Sequence, residues 1–278
     1  MDFLHKRRRS LVIIWCIFSI FLFAVIVLPL IETDGGGGGQ RSFYVRSNEG
    51  KGVIIFVHGV LGDSVSTWTN PETKAFWPDL LVKDRTFDQY NIYVYGFASP
   101  LAGKSYTIDE LADNMRLVLR QGDVLAHNEL IFLSHSMGGL VTRALLLKYR
   151  DLIPKVGFLY FCSTPTTGSE LASIANLVGK NPQFGDMFPM GYNTYIESLQ
   201  SSWLAAKMNV RSYCAYEKLA THGMDVVTRQ SATSLCTEPL APILENHISI
   251  VKPADRTSLA YIAFKDAFVD AHDPSPAR

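Results

Sequence analysis

The stretch that decides the fold spans residues 128–143 and reads Asn-Glu-Leu-Ile-Phe-Leu-Ser-His-Ser-Met-Gly-Gly-Leu-Val-Thr-Arg. Its apolar run Leu130–Leu133 is typical of a short buried strand. Apolar residues recur at helical spacing after the glycines: Leu140, Val141, Ala144 and Leu145. A strand, a sharp turn with a serine at its apex, and a helix form the context that a nucleophile elbow requires. The sequence therefore predicts that Ser136 projects from a tight turn at the end of a strand.

Small residues flank this predicted apex, where strand and helix must approach closely. The usual pattern is Gly-x-Ser-x-Gly, and here Ser134 stands in place of the first glycine while Gly138 and Gly139 follow the serine. The helix N-terminus behind the turn favours negative charge that develops near Ser136. The alternative interpretation is a glycine-rich turn that carries an incidental serine.

Strand and helix signals alternate from residue 42 onward. Strands are predicted at residues 42–46, 52–57, 90–97, 130–133, 156–161 and 210–216. Helices are predicted at residues 71–83, after a capping box at 107–110, after the turn at 136, near 231–235 and from 259 to 267. This alternation predicts an α/β fold, in which a mostly parallel sheet is covered by helices on both faces. The active site of such a sheet lies at the carboxyl ends of its strands.

Residues 166–208 interrupt the alternation. They carry turn signals and an apolar, largely aromatic set: Phe184, Met187, Phe188, Met190, Tyr192, Tyr195 and Trp203. One interpretation is a helical, cap-like insertion that shapes a hydrophobic substrate pocket. The other is plain packing against the sheet, because clustered aromatic residues usually belong to a core.

The N-terminal segment has the pattern of a membrane anchor. Residues 11–31 contain no charged side chain, and such a length suffices to cross a bilayer as a helix. The basic tail at residues 1–10 predicts a cytoplasmic N-terminus and an extracytoplasmic position for everything after residue 31. A cleaved signal peptide is the competing interpretation, although its apolar region is usually shorter and no small-residue cleavage site follows here. We therefore predict one N-terminal transmembrane helix in a single-pass membrane protein.

A linker and one globular domain follow the predicted anchor. The glycine run within residues 32–41 predicts a flexible tether, and it is not a phosphate-binding loop because no Lys-Ser/Thr follows it. Residues 42–278 have the length and composition of a single domain. The formal charge of the chain is zero, and residues 1–31 carry Lys6, Arg7, Arg8 and Arg9 against Asp2. The body is therefore mildly acidic, which argues against a nucleic-acid partner.

Three cysteines lie in the predicted domain: Cys162, Cys214 and Cys236. Their spacing does not match a metal site. An extracytoplasmic domain is able to join Cys214 to Cys236 in a disulfide. The alternative is three buried, apolar thiols.

A serine hydroxyl becomes a good nucleophile when a base removes its proton, and an acid must hold that base in the right tautomer. In a sheet of this kind these groups follow in the order serine, acid, histidine. Among the histidines after Ser136, His272 lies in a polar tail and His222 falls where the acid is expected. His247 lies in a loop just before the last predicted helix. We therefore predict His247 as the base.

Two carboxylates are candidates for the acid. Glu217 ends the predicted strand at residues 210–216, and Asp225 follows eight residues later. A carboxylate at a strand terminus is held more firmly than one in a loop, so Glu217 is favoured and Asp225 is the alternative.

The loop after the strand at residues 52–57 reads His58-Gly59-Val60-Leu61-Gly62. A glycine-containing loop at the carboxyl end of a strand can turn backbone N–H groups toward a ligand. In an acyl-transfer enzyme such a loop supplies one donor of an oxyanion hole, and the residue after the nucleophile supplies the other. The predicted donors are the N–H groups of Val60 and Met137, with His58 as a structural residue beneath the loop.

Four segments together resemble the α/β-hydrolase superfamily of serine esterases: residues 56–62, 134–139, 163–169 and 246–253. The similarity is greatest to the lipase-like branch that includes the glycosylphosphatidylinositol inositol-deacylases, and it extends from about residue 50 to about residue 265. Relatives often carry Tyr-Glu before a Val-Val-x-x-x-Ser-Ala segment, as this chain does at Tyr216-Glu217 and 226–232. Other hydrolases place an Asp just before the Val-Val pair, which favours Asp225.

The resemblance implies an α/β-hydrolase fold and the hydrolysis of a carboxylic ester through a Ser-His-acid triad and an acyl-enzyme intermediate. No cofactor or metal is expected for this chemistry, and a membrane location suggests a lipid or an acylated surface polymer as the substrate. Two alternatives stay open. One is a catalytically silent binding module on the same fold, and the other is an acyltransferase whose acceptor is not water.

Overall fold

The computed structural model describes residues 41–100, 104–169, 181–191 and 194–273. These residues all belong to one unit of the chain, Gly36–Arg278. The predicted basic tail at 1–10, the anchor at 11–31 and the linker up to residue 40 lie outside the described residues. Within the described ranges, no helix has both the length and the apolar character needed to span a bilayer.

A seven-stranded sheet forms the centre of the described residues, with the strand order β1-β3-β2-β4-β5-β6-β7. The strands are β1 (Phe43–Arg46), β2 (Gly52–Val57), β3 (Tyr90–Tyr95), β4 (Glu129–His135), β5 (Val156–Cys162), β6 (Ser212–Glu217) and β7 (Leu240–Ile243). Strand β1 runs antiparallel to β3, and every other neighbouring pair is parallel. The predicted α/β architecture with a mostly parallel sheet is confirmed.

Both faces of the sheet are buried, because successive side chains of a strand point to opposite faces. On β2, Val53, Ile55 and Val57 belong to one apolar cluster, whereas Ile54 and Phe56 belong to the other. This explains why the sequence of β2 is continuously apolar rather than alternating.

Helices cover these two faces. The helices are α1 (Trp77–Val82), α2 (Ile108–Gln121), α3 (Met137–Lys148), α4 (Pro182–Asp186), α5 (Thr194–Ala206), α6 (Arg229–Thr233) and α7 (Leu259–His272). Short 3-10 turns occupy Ser66–Trp68, Arg85–Phe87, Val124–Ala126, Arg150–Lys155 and Ser249–Val251. Buried side chains of α2, α3 and α5 pack in the first cluster, and those of α1 and α7 pack in the second. The predicted capping box at Thr107 and Glu110 is present at the start of α2.

Local hydrogen bonds shorten the first predicted helix. The sequence predicts a helix from residue 71 to 83, but α1 begins at Trp77. The Asn70 side chain accepts from the N–H groups of Glu72 and Thr73, and the Asn70 N–H donates to Ala75. These bonds form a turn that competes with helix formation, so the prediction was wrong for residues 71–76.

The edge strand β7 was missed by the sequence analysis. It has four residues, Leu-Ala-Pro-Ile, of which Ile243 is buried and Leu240 is exposed. Pro242 has no N–H to donate, and proline inside a strand is tolerated mainly at a sheet edge. Pairing with β6 supplies the stability that the local sequence lacks.

The described part of residues 166–208 consists largely of α4 and α5. Phe184, Met187 and Trp203 are buried in the same cluster as the core side of α3, so these three side chains pack as core residues.

The buried Arg143 of α3 donates to the Thr166 hydroxyl, and its guanidinium lies 5.7 Å from the Trp203 ring centre. Burial lowers the pKa of Arg143 to about 9. Residues 170–180 and 192–193, with Tyr192, lie outside the described residues.

A disulfide joins Cys214 of β6 to Cys236, which follows α6. Cys162 is a buried free thiol. The proposed pairing of Cys214 with Cys236 is therefore confirmed. The bridge closes a loop that begins in β6, three residues before Glu217, and ends beyond α6.

His272 takes part in a polar cluster at the sheet edge where the parallel strands begin. The sequence suggested a polar tail there, but His272 is the last residue of α7 and its Nε2 lies 2.9 Å from Glu129 Oε1. The hydrogen bond that His272 donates to the Glu129 carboxylate raises the pKa of His272. Burial alone would raise the pKa of Glu129, but hydrogen bonds with His272 and Tyr90 outweigh it and lower that pKa.

Replacing His272 with glutamine should lower the free energy of unfolding more at about pH 6 than at about pH 9. A histidine whose pKa is raised by folding stabilises the protein fully below its unfolded pKa of 6.5, and this contribution is lost as the pH rises through the folded pKa. Glu129 stays ionised across this range. Urea unfolding at the two pH values measures the difference, and Glu129→Gln should give the same pH dependence. An effect of equal size at both pH values would contradict the ion pair.

Candidate active site

Ser136 lies at the apex of the turn between β4 and α3. Its backbone angles are φ 51° and ψ −128°, a conformation that costs a non-glycine residue about 1–3 kcal/mol. The surrounding fold holds it there, since the Ser136 N–H donates to the Cys162 carbonyl and its own carbonyl accepts from the Gly139 N–H. This strained turn places Ser136 directly after the carboxyl end of β4, with its Oγ within hydrogen-bonding distance of His247.

Two glycines allow α3 to start so close to the sheet. A Cβ atom on Gly138 would lie 2.4 Å from the carbonyl oxygens of Val57 and His58. A Cβ atom on Gly139 would lie 2.1 Å from the Thr164 hydroxyl oxygen. Any larger residue at either position would push the helix away from the sheet and displace the apex.

His247 follows Ser136 by 111 positions in the sequence, and the two side chains are hydrogen-bonded. It lies in the loop between β7 and the 3-10 turn Ser249–Val251, and its Nε2 is 3.0 Å from the Ser136 Oγ. Its Nδ1 lies 3.0 Å from Glu217 Oε2 and 3.2 Å from Glu217 Oε1. With its proton on Nδ1, the imidazole donates to Glu217 and accepts from the Ser136 hydroxyl.

Glu217 is the last residue of β6 and its side chain is buried. Burial alone would raise its pKa, but the charge of His247 and hydrogen bonds with His247, Ser163 and the Val227 N–H outweigh this and lower the pKa. The carboxylate therefore stays ionised and can hold an imidazolium. Asp225 is exposed and makes none of these contacts.

The loop after β2 borders the serine. A Cβ atom on Gly59 would lie 2.7 Å from the Ser136 Cβ, which places the loop backbone directly against the apex. The Leu61 N–H donates to the Ser99 hydroxyl. By contrast, the N–H groups of Val60 and Met137 have no hydrogen-bond acceptor within the part of the chain that the structure describes.

His58 supports this loop from below. It is fully buried, its Nδ1 lies 2.9 Å from the Gly59 carbonyl, and its Nε2 accepts from the Phe97 N–H. Burial lowers the pKa of His58 to about 4, so the ring is neutral at physiological pH. The predicted structural role of His58 agrees with these contacts.

The arrangement forms a relay from a hydroxyl through an imidazole to a buried carboxylate. Such a relay can remove the serine proton as the oxygen attacks an electrophile, and the two backbone N–H groups are available to a developing oxyanion. Among residues 41–100, 104–169, 181–191 and 194–273, no cluster of three or more histidine, cysteine or acidic side chains is arranged to hold a metal ion.

Comparison with solved structures places this geometry on a known fold. The mature form of the lipase BlEst2 from Bacillus licheniformis matches with a TM-score of 0.57 and 16% identity, over 78% of this chain and 94% of that one. A monoacylglycerol lipase from Paleococcus ferrophilus matches with a TM-score of 0.52 and 11% identity, over 83% and 98% of the two chains. A thermophilic esterase from Thermogutta terrifontis, with malate bound, matches with a TM-score of 0.51 and 14% identity, over 87% of this chain and 98% of that one.

This chain has the α/β-hydrolase fold. At identities this low, the likeness establishes the fold alone. No protein-family model matches the sequence, and no curated protein matches it. The narrower resemblance to the inositol-deacylase branch therefore stays a prediction.

Within the α/β-hydrolase fold, the residues chosen from the sequence meet at one edge of the sheet. Ser136, His247 and Glu217 form the hydrogen-bonded relay, and Val60 and Met137 lie in the two segments that border the serine. The alternative acid Asp225 does not join the relay. Their catalytic roles are part of the proposal below.

Sequence reasoning missed several residues that hold this relay in place. Ser163 and Val227 contact Glu217, while Thr221 and His135 contact the backbone of His247. A sequence signal existed for His135 alone, because it occupies the position between the small residue and the serine of the elbow. The others come from loops whose proximity depends on the folded chain.

Gly138→Ala should destabilise the domain by about 1–3 kcal/mol, because its methyl group would clash with two backbone carbonyls. Gly185→Ala is the matched control, since nothing lies within 4 Å of a Cβ atom at Gly185 in α4. Alanine there should leave stability unchanged or raise it by about 0.5–1 kcal/mol. Urea unfolding of both variants measures the difference, and equal stabilities would show that the helix does not approach the sheet this closely.

Proposed function

We propose that this protein is a serine hydrolase that cleaves a carboxylic ester through Ser136, His247 and Glu217. The observation that carries the proposal is the continuous chain of hydrogen bonds from the Ser136 hydroxyl through both nitrogens of His247 to a buried, ionised Glu217. A strained serine backbone in front of a helix N-terminus adds to it, since strain of this kind clusters at functional sites.

The first half of the reaction transfers the acyl group to the protein. The Ser136 Oγ attacks the ester carbonyl carbon while His247 Nε2 takes the hydroxyl proton, and the carbonyl oxygen becomes an oxyanion. The N–H groups of Val60 and Met137 donate to that oxyanion. The C–O bond to the alcohol then breaks, and His247 returns its proton to the departing alkoxide, which leaves an acyl-enzyme.

The second half returns the protein to its starting state. A water molecule gives its proton to His247 and attacks the acyl carbon, again forming an oxyanion. The bond to Ser136 Oγ breaks as His247 protonates that oxygen, and the carboxylic acid is released. Glu217 stays ionised throughout and stabilises the imidazolium that forms twice in each cycle.

The choice of an ester as the substrate rests on the solved structures of similar fold. Their names identify lipases and esterases. The site itself supports acyl transfer in general, and these neighbours favour esters within that chemistry.

We further propose that residues 11–31 anchor the protein in a membrane with the hydrolase domain on the extracytoplasmic side. The disulfide between Cys214 and Cys236 supports this location, because such bonds persist in oxidising compartments. A membrane location would bring lipid esters within reach of an anchored hydrolase, so we propose a lipid ester as the substrate.

Ser136→Ala should abolish covalent labelling by a fluorophosphonate probe and lower ester hydrolysis by roughly 10⁴-fold to 10⁶-fold, because it removes the attacking oxygen. Glu217→Gln should lower kcat by roughly 10⁴-fold, since the neutral amide no longer holds the imidazolium. Asp225→Asn is the matched acidic control and should keep wild-type kcat. Probe labelling and hydrolysis of p-nitrophenyl butyrate by the full-length protein measure both effects.

Other outcomes of these measurements point elsewhere. A folded wild-type protein that neither labels nor hydrolyses would contradict the proposal and favour a binding module. Labelling with ester formation on an added alcohol, in place of acid release, would favour an acyltransferase. Loss of activity in Asp225→Asn but not in Glu217→Gln would contradict the assignment of the acid.

Deleting residues 11–31 should move the protein from the membrane fraction to the soluble fraction while kcat on p-nitrophenyl butyrate is kept. The wild type should resist extraction by alkaline carbonate, as expected for a bilayer-spanning segment. Wild-type protein that is released by carbonate, or that is found at the shorter length of a cleaved chain, would contradict the anchor.

A further inference from the structure

His135 is a buried imidazole next to the serine that the reaction scheme above leaves unused. It is the last residue of β4, it is 8% exposed, and its Nε2 lies 2.9 Å from the backbone carbonyl oxygen of His247. A carbonyl can only accept, so Nε2 carries the proton and donates it to this bond. The strand that immediately precedes the nucleophile is therefore hydrogen-bonded to the loop that carries the base.

The ring makes this bond in its neutral form. Burial lowers the pKa of His135 well below its ordinary value, and the nearby His247 lowers it further. The Nδ1 atom is then an acceptor, and it is buried without a hydrogen-bond partner. An unsatisfied buried polar atom costs about 1–3 kcal/mol, a cost that an apolar side chain of similar size would avoid. The retained donor at Nε2 is the feature that an apolar replacement would lose.

Backbone bonds hold the residues on either side of His247, because the Glu245 carbonyl accepts from the N–H groups of Lys218 and Leu219 and the Asn246 carbonyl accepts from the Ile250 N–H. The Asn246 Oδ1 accepts from the N–H groups of Ile248 and Ser249, which shapes the turn itself. The His247 N–H donates to the Thr221 hydroxyl, so the histidine backbone is held by one side chain at its N–H and by another at its carbonyl. Of these two contacts, the one from His135 joins the base to the strand that ends directly before Ser136.

We infer that His135 is a positioning residue that fixes the distance between His247 and Ser136 through its bond to the His247 carbonyl. The inference rests on the proposed function. An imidazole that drifts by about 1 Å loses the alignment needed for proton transfer, and such a displacement lowers the rate by roughly 10²-fold. The neutral state also matters, because the two ring centres lie 4.9 Å apart and a charged His135 would oppose the imidazolium that forms on His247.

Glutamine and asparagine form a matched pair for testing this. The amide nitrogen of glutamine is separated from Cβ by the same number of bonds as the histidine Nε2, whereas that of asparagine corresponds to Nδ1. His135→Gln should therefore keep the bond to the His247 carbonyl, and His135→Asn should lose it. His135→Leu removes both polar atoms. Each variant is made in the full-length protein, and its Tm is measured so that rates are compared where all are folded.

The expected result separates kcat from KM. With p-nitrophenyl butyrate, His135→Gln should stay within about threefold of the wild type, while His135→Asn and His135→Leu should lower kcat by roughly 10-fold to 100-fold with KM nearly unchanged. A purely structural role would instead follow the Tm values, with the leucine variant retaining activity wherever it is folded. Wild-type kcat in folded His135→Asn or His135→Leu would overturn the inference.

A second readout does not depend on hydrolysis. The Nδ1 proton between His247 and Glu217 should give a low-field proton NMR signal, identified by its loss in Glu217→Gln. That signal should keep its position in His135→Gln and should shift or broaden in His135→Asn, because the imidazole is no longer held. An unchanged signal in His135→Asn would overturn the inference. A wild type that shows these NMR effects but never hydrolyses esters would contradict the proposed function and leave the positioning role supported.

Discussion

Parallel pairing of the strands is the constraint on which the rest of this structure depends. Because β2, β4, β5, β6 and β7 all run in the same direction, their carboxyl ends meet at one edge. The residues that follow those ends come from distant parts of the sequence, yet the register of the sheet sets their spacing. A hydroxyl, an imidazole and a carboxylate thereby come within hydrogen-bonding distance although 111 positions separate the first two.

The electrostatics of this edge depend on which groups are charged and which are not. Glu217 is buried but ionised, because several hydrogen bonds and the neighbouring imidazole offset the loss of solvation. His58 and His135 are buried and neutral, since nothing comparable stabilises a positive charge on them. A protonated His247 would therefore have one carboxylate beside it and no buried imidazolium competing for it. Each neutral histidine instead supplies hydrogen bonds that hold a loop of the site.

Rigidity at this edge comes with local costs that the rest of the fold must offset. The backbone of Ser136 is strained, the close approach of α3 requires Gly138 and Gly139, and the Nδ1 atom of His135 has no partner. The two large apolar clusters on either face of the sheet provide the stability that tolerates these costs. The disulfide from β6 adds a covalent constraint to the segment that carries Glu217 and Thr221.

The sequence by itself determined the fold class, most strands, the elbow at Ser136 and the order of serine, carboxylate and histidine along the chain. Local patterns of the sequence predict these features: continuous apolar runs, helical spacing of apolar residues, and small residues around one serine. It overextended the helix at residues 71–83 and missed β7, where local hydrogen bonds and an edge position override propensity. The tertiary structure decided that Glu217 rather than Asp225 contacts His247, and it alone brought His135, Ser163, Thr221 and Val227 to the site. The reason is that the contacts of a loop side chain depend on how strands from distant parts of the sequence pair. A short-range pattern along the chain carries no information about that pairing.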